Sequence, residues 1–366
     1  MLLLTGFVTT LDAAEFQQRE YSKTIKKEFG ITADGTTGLF NKYGRVDVHT
    51  WEKNRVKVDV TILVRAESES RAQEVFDRIQ IDISNGSDFV RAETIIEPQR
   101  KNSWWNWGDT KSDFTIDYDV YIPTTNNLEL SNKYGDSFID EINGNVTLNV
   151  KYGNFKAENL ARSSSIDLAY GNGTILRANS ADVEVSYGRL HSEEVKDLDM
   201  TSKYSKINIE NANTVRTTSK YDTYNIGEVV TFRNTGKYDN IDIDNVQDVV
   251  ISSKYTEVYA GEVTNSLELD MQYGGTTIDR VKRGFSEIRL VGSYTDFKIN
   301  VEDGAHYRME AVANYAGIRY PERLKVTYEK EKGTYHEVEG YHGERNARSF
   351  IKARLDYGGL KVRQNN

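Results

Sequence analysis

The sequence contains no cysteine, and this absence excludes several kinds of site. A chain without thiols has no disulfide framework, no thiolate metal site, no cysteine nucleophile and no lipid-carrying cysteine. Proline is scarce too, with 3 residues against 27 glycines. Together with abundant Asn, Asp, Ser and Thr, this composition indicates many short turns between strands. The lack of thiols also suits an oxidising compartment.

The sequence has no excess of positive charge and no long internal hydrophobic run. Its net charge of −9 argues against a general nucleic-acid binder, which needs a basic surface to neutralise phosphates. The first residues, "MLLLTGFVTTLDAAEF", resemble the apolar region and cleavage zone of a secretory signal, although no basic segment precedes them. We therefore predict a signal segment, complete or truncated, over residues 1–14, the alternatives being a start further upstream or a simple first strand. No later run of about 18 apolar residues follows, so no span is predicted for the mature chain.

Tyrosine is plentiful, with 23 residues against 13 Phe and 4 Trp, and it recurs at a nearly fixed interval. The interval is almost constant over most of the series and becomes longer at its end. A further copy, "LDYGG", stands near the C-terminus, and an outlying copy, "NKYGRVDV", contains Tyr43. The main series and its late copy comprise Tyr134, Tyr152, Tyr170, Tyr187, Tyr204, Tyr221, Tyr238, Tyr255, Tyr273, Tyr294, Tyr315 and Tyr357.

The residues around each tyrosine predict strands. Apolar residues lie two, four and six positions before it, as with Val150, Leu148 and Val146 before Tyr152. This alternation is typical of a strand with one buried face, and the tyrosine shares its parity, so we expect the ring in the wall of the core. After the tyrosine the parity changes, which indicates a corner. The rings are expected to form an interior or corner ladder with well-buried faces.

One repeat is too short to bury its own apolar face, and stacked copies do so. A propeller blade needs about 40 residues, and a meander would not keep one tyrosine in register. The predicted fold is therefore all-β: a single-stranded parallel β-solenoid of about 17 residues per coil with a small α+β N-terminal cap. Residues 15–122 form this cap, with a helix near 68–79 that begins at Ser68; residues 123–320 form the regular coils; and residues 321–366 form a hairpin insertion and a C-terminal capping coil.

The recurring "KYG", the segment "NKYGRVDVHTWEKNRVKVDVTI" and the helix predicted after it resemble the putative-adhesin β-strand-repeat family, which is related to auto-transporter adhesin head domains. The resemblance extends over nearly the whole mature chain. It implies a secreted β-solenoid and an adhesin-like role. Its motifs are structural, so it implies no catalytic or binding residues, and the mode of cell attachment stays open.

Two groups of residues are candidate binding sites. By parity the lysines before the tyrosines face outward. Four of them on consecutive coils should form a ladder of like charges: Lys203, Lys220, Lys237 and Lys254. Such a ladder needs an anionic ligand or counter-charges, for which Asp222 and Asp239 are the nearby candidates. The alternative is that these lysines are simply solvated. Three tryptophans in "RKNSWWNWGDTK" suit sugar stacking or a membrane interface, or else closure of the solenoid end. They are Trp104, Trp105 and Trp107.

No constellation for catalysis or metal binding is recognised. His336 and His342 lie near each other in sequence, but their spacing matches no zinc signature, so no metal and no cofactor are predicted. Acidic pairs such as Asp242 and Asp244 recur on the exterior, as solvation would place them. We expect a non-enzymatic, exported adhesin-like or cell-envelope module, with a surface glycan or envelope protein as partner and no nucleic acid. The alternatives are a glycan-active enzyme, favoured by a groove holding two carboxylates of raised pKa, and a structural or envelope-stress partner.

Overall fold

The computed structural model describes residues 19–97 and 114–365. It is nearly all β, and its strands form one continuous, mostly parallel sheet. Within these residues no helix has both the length and the apolar character needed to cross a membrane. The predicted signal segment 1–14 lies outside the described residues, and so do the three tryptophans.

The N-terminal region combines antiparallel and parallel strands with one helix. On one side β1 pairs with β4 and β4 with β7, both antiparallel, and on the other side β5 pairs antiparallel with β6. The Arg71 N–H donates to Ser68 Oγ, so the predicted N-cap is confirmed, and the helix buries Ala72 and Phe76. The elements are β1 (Arg19–Gly30), β2 (Thr36–Lys42), β3 (Val46–Trp51), β4 (Arg55–Ala66), α1 (Glu69–Phe76), β5 (Ile79–Asn85), β6 (Phe89–Ile96) and β7 (Phe114–Pro123).

The predicted parallel β-solenoid is confirmed in the regular part of the chain. From Tyr170 to Tyr255, each segment between two repeat tyrosines is a single bent strand, and these strands are equal in length. Each pairs in parallel with the next, so that Ile207 lies beside Tyr224 and Val215 beside Phe232. The apolar positions of both halves face inward and are almost fully buried. The strands are β8 (Asn127–Lys133), β9 (Ser137–Ile139), β10 (Val146–Lys151), β11 (Phe155–Ala169), β12 (Asn172–Ser186), β13 (Arg189–Lys203), β14 (Lys206–Lys220), β15 (Thr223–Lys237), β16 (Asn240–Lys254) and β17 (Glu257–Val281).

At the C-terminal end the order in space departs from the order in sequence. The last strand lies between β18 and β19 and pairs in parallel with both of them. The expected capping coil is thus an internal rung, and the predicted hairpin, β20 with β21, covers the outer edge through an antiparallel pairing of β21 with β19. The strands are β18 (Glu287–Glu302), β19 (Tyr307–Arg319), β20 (Lys325–Lys332), β21 (Tyr335–His342) and β22 (Ser349–Asn365).

Charged strands stand at both ends of the sheet. Most residues of β1, including Lys23 and Lys27, are exposed, and every residue of β20 is exposed. Exposed charge on an edge strand disfavours pairing with another chain. The edges formed by β1 and β20 are therefore protected.

Candidate functional site

The repeat tyrosines, from Tyr43 to Tyr357, form one stacked column along a corner of the coils, which we call the tyrosine edge. Neighbouring ring centroids are 4.6–5.1 Å apart, with nearly parallel planes. The column follows the spatial order of the strands, so Tyr357 stacks between Tyr294 and Tyr315. The predicted tyrosine ladder is confirmed as a corner ladder.

The expected inward direction of these rings is wrong. The tyrosines from Tyr134 onward are 40–60% exposed, although each shares the parity of the buried residues before it. All members of the column have a left-handed backbone, with φ between 52° and 63°. This conformation interrupts the alternation of a strand, so the tyrosine faces out and the following residue faces in. Ser205, Asp222 and Thr256 are buried in this way.

The residue after the tyrosine lies in a position with little room. A Cβ added to Gly153 would lie 2.0 Å from the carbonyl oxygen of Gly135, and one added to Gly171 would lie 1.8 Å from that of Gly153. In these two coils glycine fits because backbone of the preceding coil occupies the place that a side chain would take, whereas the coils of Ser205 and Asp222 hold a side chain at the same position. The "YG" of the repeat is thus a signature of this corner.

Two carboxylates lie inside the coils, each on the residue that follows a repeat tyrosine. Asp222 accepts hydrogen bonds from the Ser205 and Lys220 N–H groups and from the Ser202 hydroxyl. Asp239 accepts from the Asp222 N–H and the Ser219 hydroxyl. Burial raises the pKa of both carboxyl groups, while these hydrogen bonds oppose the shift. Both side chains are enclosed, so they contact no solute, and they are not the exterior counter-charges expected for the lysines.

The predicted lysine ladder is present beside the tyrosine edge. Lys203, Lys220, Lys237 and Lys254, the lysine row, are direct neighbours on four successive strands. None of their ammonium groups forms a salt bridge within the part of the chain that the structure describes. Lys220 Nζ lies 5.1 Å from the ring centroid of Tyr221. A row of unpaired cations therefore runs along a row of phenol edges.

Two more cations flank the same tyrosines on the other side. Arg189 and Lys206 are direct neighbours, each two residues after a repeat tyrosine. Neither forms a salt bridge among the described residues. The surface around Tyr187 and Tyr204 is consequently cationic on both sides of the column, in a chain whose net charge is −9. The sequence predicted the lysines, but it drew no attention to these two residues.

The two histidines do not come together. His336 Nε2 lies 3.0 Å from Glu329 Oε1, whereas His342 is buried and its Nδ1 lies 2.7 Å from the Ala305 carbonyl oxygen. Six positions on one extended strand separate them by about 20 Å. The described residues contain no group of three or more His, Cys, Asp or Glu that could hold a metal ion.

A shallow groove lies on the face formed by the strand segments that follow the repeat tyrosines, and it holds the acidic residues that the sequence predicts to be solvated. Its volume is about 400 Å³, and Asp242, Asp244, Glu210 and His191 line it. Burial raises the pKa of Asp242, and Asp244 adds to the shift. His191 Nε2 lies 3.5 Å from Glu210 Oε1. The groove thus holds two neighbouring carboxylates, of which Asp242 has a raised pKa.

The similarities of this chain to known proteins lie among solved structures. No family model and no curated protein matches the chain. Among solved structures, it is similar to a putative cell adhesion protein from Clostridium sporogenes, with 8% identity, 95% of this chain and 100% of the other covered, and a TM-score of 0.18. A putative adhesin from Parabacteroides distasonis is 11% identical, with 76% of this chain and 93% of the other covered, and a TM-score of 0.28. A putative adhesin from Bacteroides fragilis is also 11% identical, with 94% of this chain and 97% of the other covered, and a TM-score of 0.20. Their descriptions agree with the family resemblance, but likenesses this low carry no argument about function.

Proposed function

We propose that the chain is a non-enzymatic, adhesin-like module of the cell envelope or cell surface that binds a linear anionic polysaccharide along the tyrosine edge. The observation that carries this proposal is the unpaired lysine row beside a continuous column of exposed tyrosines. A row of like charges on adjacent strands is unfavourable by itself, and an anionic ligand relieves the repulsion.

The stacking of the rings decides which chemistry the edge offers. Each ring covers the faces of its neighbours, so those faces are closed to the stacking that bases or sugar rings use on single aromatic residues. The exposed parts are the ring edges with their phenol hydroxyls, which donate hydrogen bonds. A ligand rich in acceptor oxygens and negative charge fits this surface better than a nucleic acid does.

The periodicity of the edge favours a polymer. Strands repeat along the rod about every 4.8 Å, which is close to the length of one sugar in an extended polysaccharide. A uronic acid polymer carries one carboxylate per sugar, so several carboxylates of one chain lie near several lysines together. Weak individual ion pairs then add over the length of the contact.

Polygalacturonate and its fully methyl-esterified form test the proposal, because they share a backbone and differ in charge. We expect the wild type to bind the acid polymer, less tightly as salt is raised, and to ignore the ester. Four surface contacts of roughly 0.2–1 kcal/mol each amount to between about fourfold and several hundredfold in affinity. Replacing the lysine row with glutamine should cause that loss in isothermal titration calorimetry.

A matched variant controls for the loss of overall charge. Lys27, Lys53, Lys196 and Lys325 are exposed, and none of them lies next to a repeat tyrosine. Changing these four to glutamine removes the same charge and should leave the affinity unchanged. Equal weakening in both variants would show that the lysine row has no special role.

The hydroxyls can be tested separately from the stacking. Changing Tyr204, Tyr221 and Tyr238 to phenylalanine keeps the aromatic column and removes three donors. We expect weaker binding with unchanged stability, measured by the same titration and by urea unfolding. If the affinity were retained, the polysaccharide would be recognised through charge alone and not through the tyrosine hydroxyls.

Export is supported by the signal-like first residues. Protein isolated from its native cell should lack the segment 1–14, which N-terminal sequencing measures. Retention of this segment, with the protein found inside the cell, would contradict the proposed location.

The groove with Asp242 and Asp244 favours a second candidate function, cleavage of a polysaccharide by paired carboxylates. The activity would appear as new reducing ends or unsaturated ends after incubation with polygalacturonate, and Asp242→Asn would abolish it. Intact polymer after long incubation, with binding retained, supports the non-enzymatic proposal.

A further inference from the structure

A second cationic cluster lies on the outer surface at the C-terminal end of the rod. Lys298 on β18 and Arg319 on β19 both pair directly with Lys361 on β22, which lies between them. Arg363 stands two residues after Lys361 and so points to the same face. Four cations from three adjacent strands, which we call the C-terminal cation cluster, thus share one patch.

The cluster has no anionic partner within the described residues. None of its four side chains forms a salt bridge there. Other exterior arginines of the rod do find acids on a neighbouring strand, as Arg216 does with Asp199 at 3.3 Å and Arg289 with Glu268 at 3.8 Å. No such ion pair forms at the C-terminal cation cluster among the described residues.

The repulsion within the cluster is visible in Lys361. The charge of Arg363 lowers the pKa of the Lys361 ammonium, burial adds to this, and Arg319 and Lys298 lower it further. Direct cross-strand neighbours of like charge destabilise a sheet. The arrangement is unfavourable by itself and becomes favourable when an anion is present.

A concave surface adjoins the cluster. A cavity of about 380 Å³ is lined by Arg319, Lys361 and Arg363. Of its acidic residues, Asp303 lies 4.0 Å from Arg323, which also lines the cavity, and Glu322 is exposed. The nearby Glu302 contacts Lys282 and Arg283 on the preceding coil. None of these carboxylates forms a salt bridge with a cation of the cluster.

We propose that the C-terminal cation cluster binds a doubly charged oxyanion of the phosphate class. Two guanidinium groups offer planar pairs of N–H donors that match the oxygens of phosphate, and two ammonium groups add charge. The cluster is compact and two-dimensional, unlike the straight lysine row, so it suits a single anionic group better than a polymer. This site is separate from the tyrosine edge.

Thermal unfolding in inorganic phosphate tests the site. The melting temperature of the wild type should rise and saturate with phosphate, more than with chloride at equal ionic strength, because binding to the folded state stabilises it. In Arg319→Gln/Lys361→Gln/Arg363→Gln the saturable rise should vanish, and titration calorimetry should show at least tenfold weaker binding. The same variant should melt higher than the wild type in phosphate-free buffer, since the repulsion is gone.

A control variant with the same loss of charge distinguishes the C-terminal cation cluster from the lysine row. Lys220→Gln/Lys237→Gln/Lys254→Gln also removes three positive charges and should retain the phosphate response. Vesicles containing phosphatidic acid distinguish a lipid headgroup from the free ion: cosedimentation that the cluster variant loses assigns the phosphate to a lipid. The proposal would be overturned if the wild type responded equally to phosphate and chloride and did not bind the vesicles. It would also be overturned if the cluster variant kept the phosphate response. Neither result would bear on polysaccharide binding at the tyrosine edge.

Discussion

The left-handed backbone at the tyrosines predicts an unusual order of stability among substitutions at Tyr221. Its φ is 60°, and its ring centroid lies 4.9 Å from that of Tyr204 and 4.7 Å from that of Tyr238. In ordinary strands glycine is less stable than alanine by about 0.5–1 kcal/mol. At a left-handed position the order should reverse, because only glycine adopts this conformation without strain.

The magnitudes follow from the contacts. Either Tyr221→Ala or Tyr221→Gly removes two stacked pairs of about 0.5–1.5 kcal/mol each, a loss of about 1–3 kcal/mol. The alanine variant keeps a left-handed strain of about 1–2 kcal/mol that the glycine variant lacks. After the greater flexibility of glycine in the unfolded chain is subtracted, we expect Tyr221→Gly to be more stable than Tyr221→Ala by roughly 0.5–1 kcal/mol.

Native-state hydrogen exchange is the best measurement, because repeat arrays open in parts and a single unfolding midpoint can mislead. Amides of β14 and β15 report the coil concerned. Phe138 provides the control, since it is exposed on β9 and pairs without a register shift on both sides, and there glycine should be less stable than alanine. If glycine were also the less stable substitution at Tyr221, the reasoning from the left-handed backbone would be refuted.

Three further predictions concern the interior. Gly153→Ala should destabilise by more than about 2 kcal/mol in urea unfolding, because its Cβ would meet the backbone of the preceding coil. Gly317→Ala, in strand β19 with nothing within 4 Å, should instead be neutral or stabilise by up to about 1 kcal/mol. Burial raises the folded-state pKa of Asp222 and Asp239, so the folded state holds protons more tightly, and their contribution to stability should increase as the pH falls from 7 towards the unfolded pKa of about 3.9. The double Asp→Asn variant should lack this increase in urea titrations at pH 7 and 5, and a wild type that instead loses stability relative to the variant at pH 5 contradicts it. Deleting residues 349–366 should open the rod between β18 and β19 and make residues 287–342 sensitive to limited proteolysis, while deletion of the β20–β21 hairpin alone should leave the rest protected.

The sequence by itself determined the parallel solenoid, the coil length and the positions of the ladders. These follow from local information, because a strand alternates with period two and a coil of constant length brings the same position of each repeat into register. The lysine row was predictable for that reason, and so were the helix after Ser68 and the hairpin at residues 325–342.

The direction of the tyrosines depended on the tertiary structure. Alternation placed Tyr204 inside, but a single left-handed residue reverses the side on which a chain places its side chains, and φ cannot be read from apolar periodicity. The glycine that so often follows the tyrosine was the available signal. Its meaning, contact with the backbone of the preceding coil, emerges only when coils are stacked.

The C-terminal cation cluster was also beyond sequence reasoning. Lys298 and Lys361 are far apart in the sequence and become neighbours only because β22 inserts between β18 and β19. Local propensity gives a strand its shape, but its partner is chosen by the free energy of the whole assembly, in which an internal rung buries both of its edges. Periodicity therefore determined what each coil of this protein is, and the tertiary structure decided which side of it faces the solvent and which coil lies beside it.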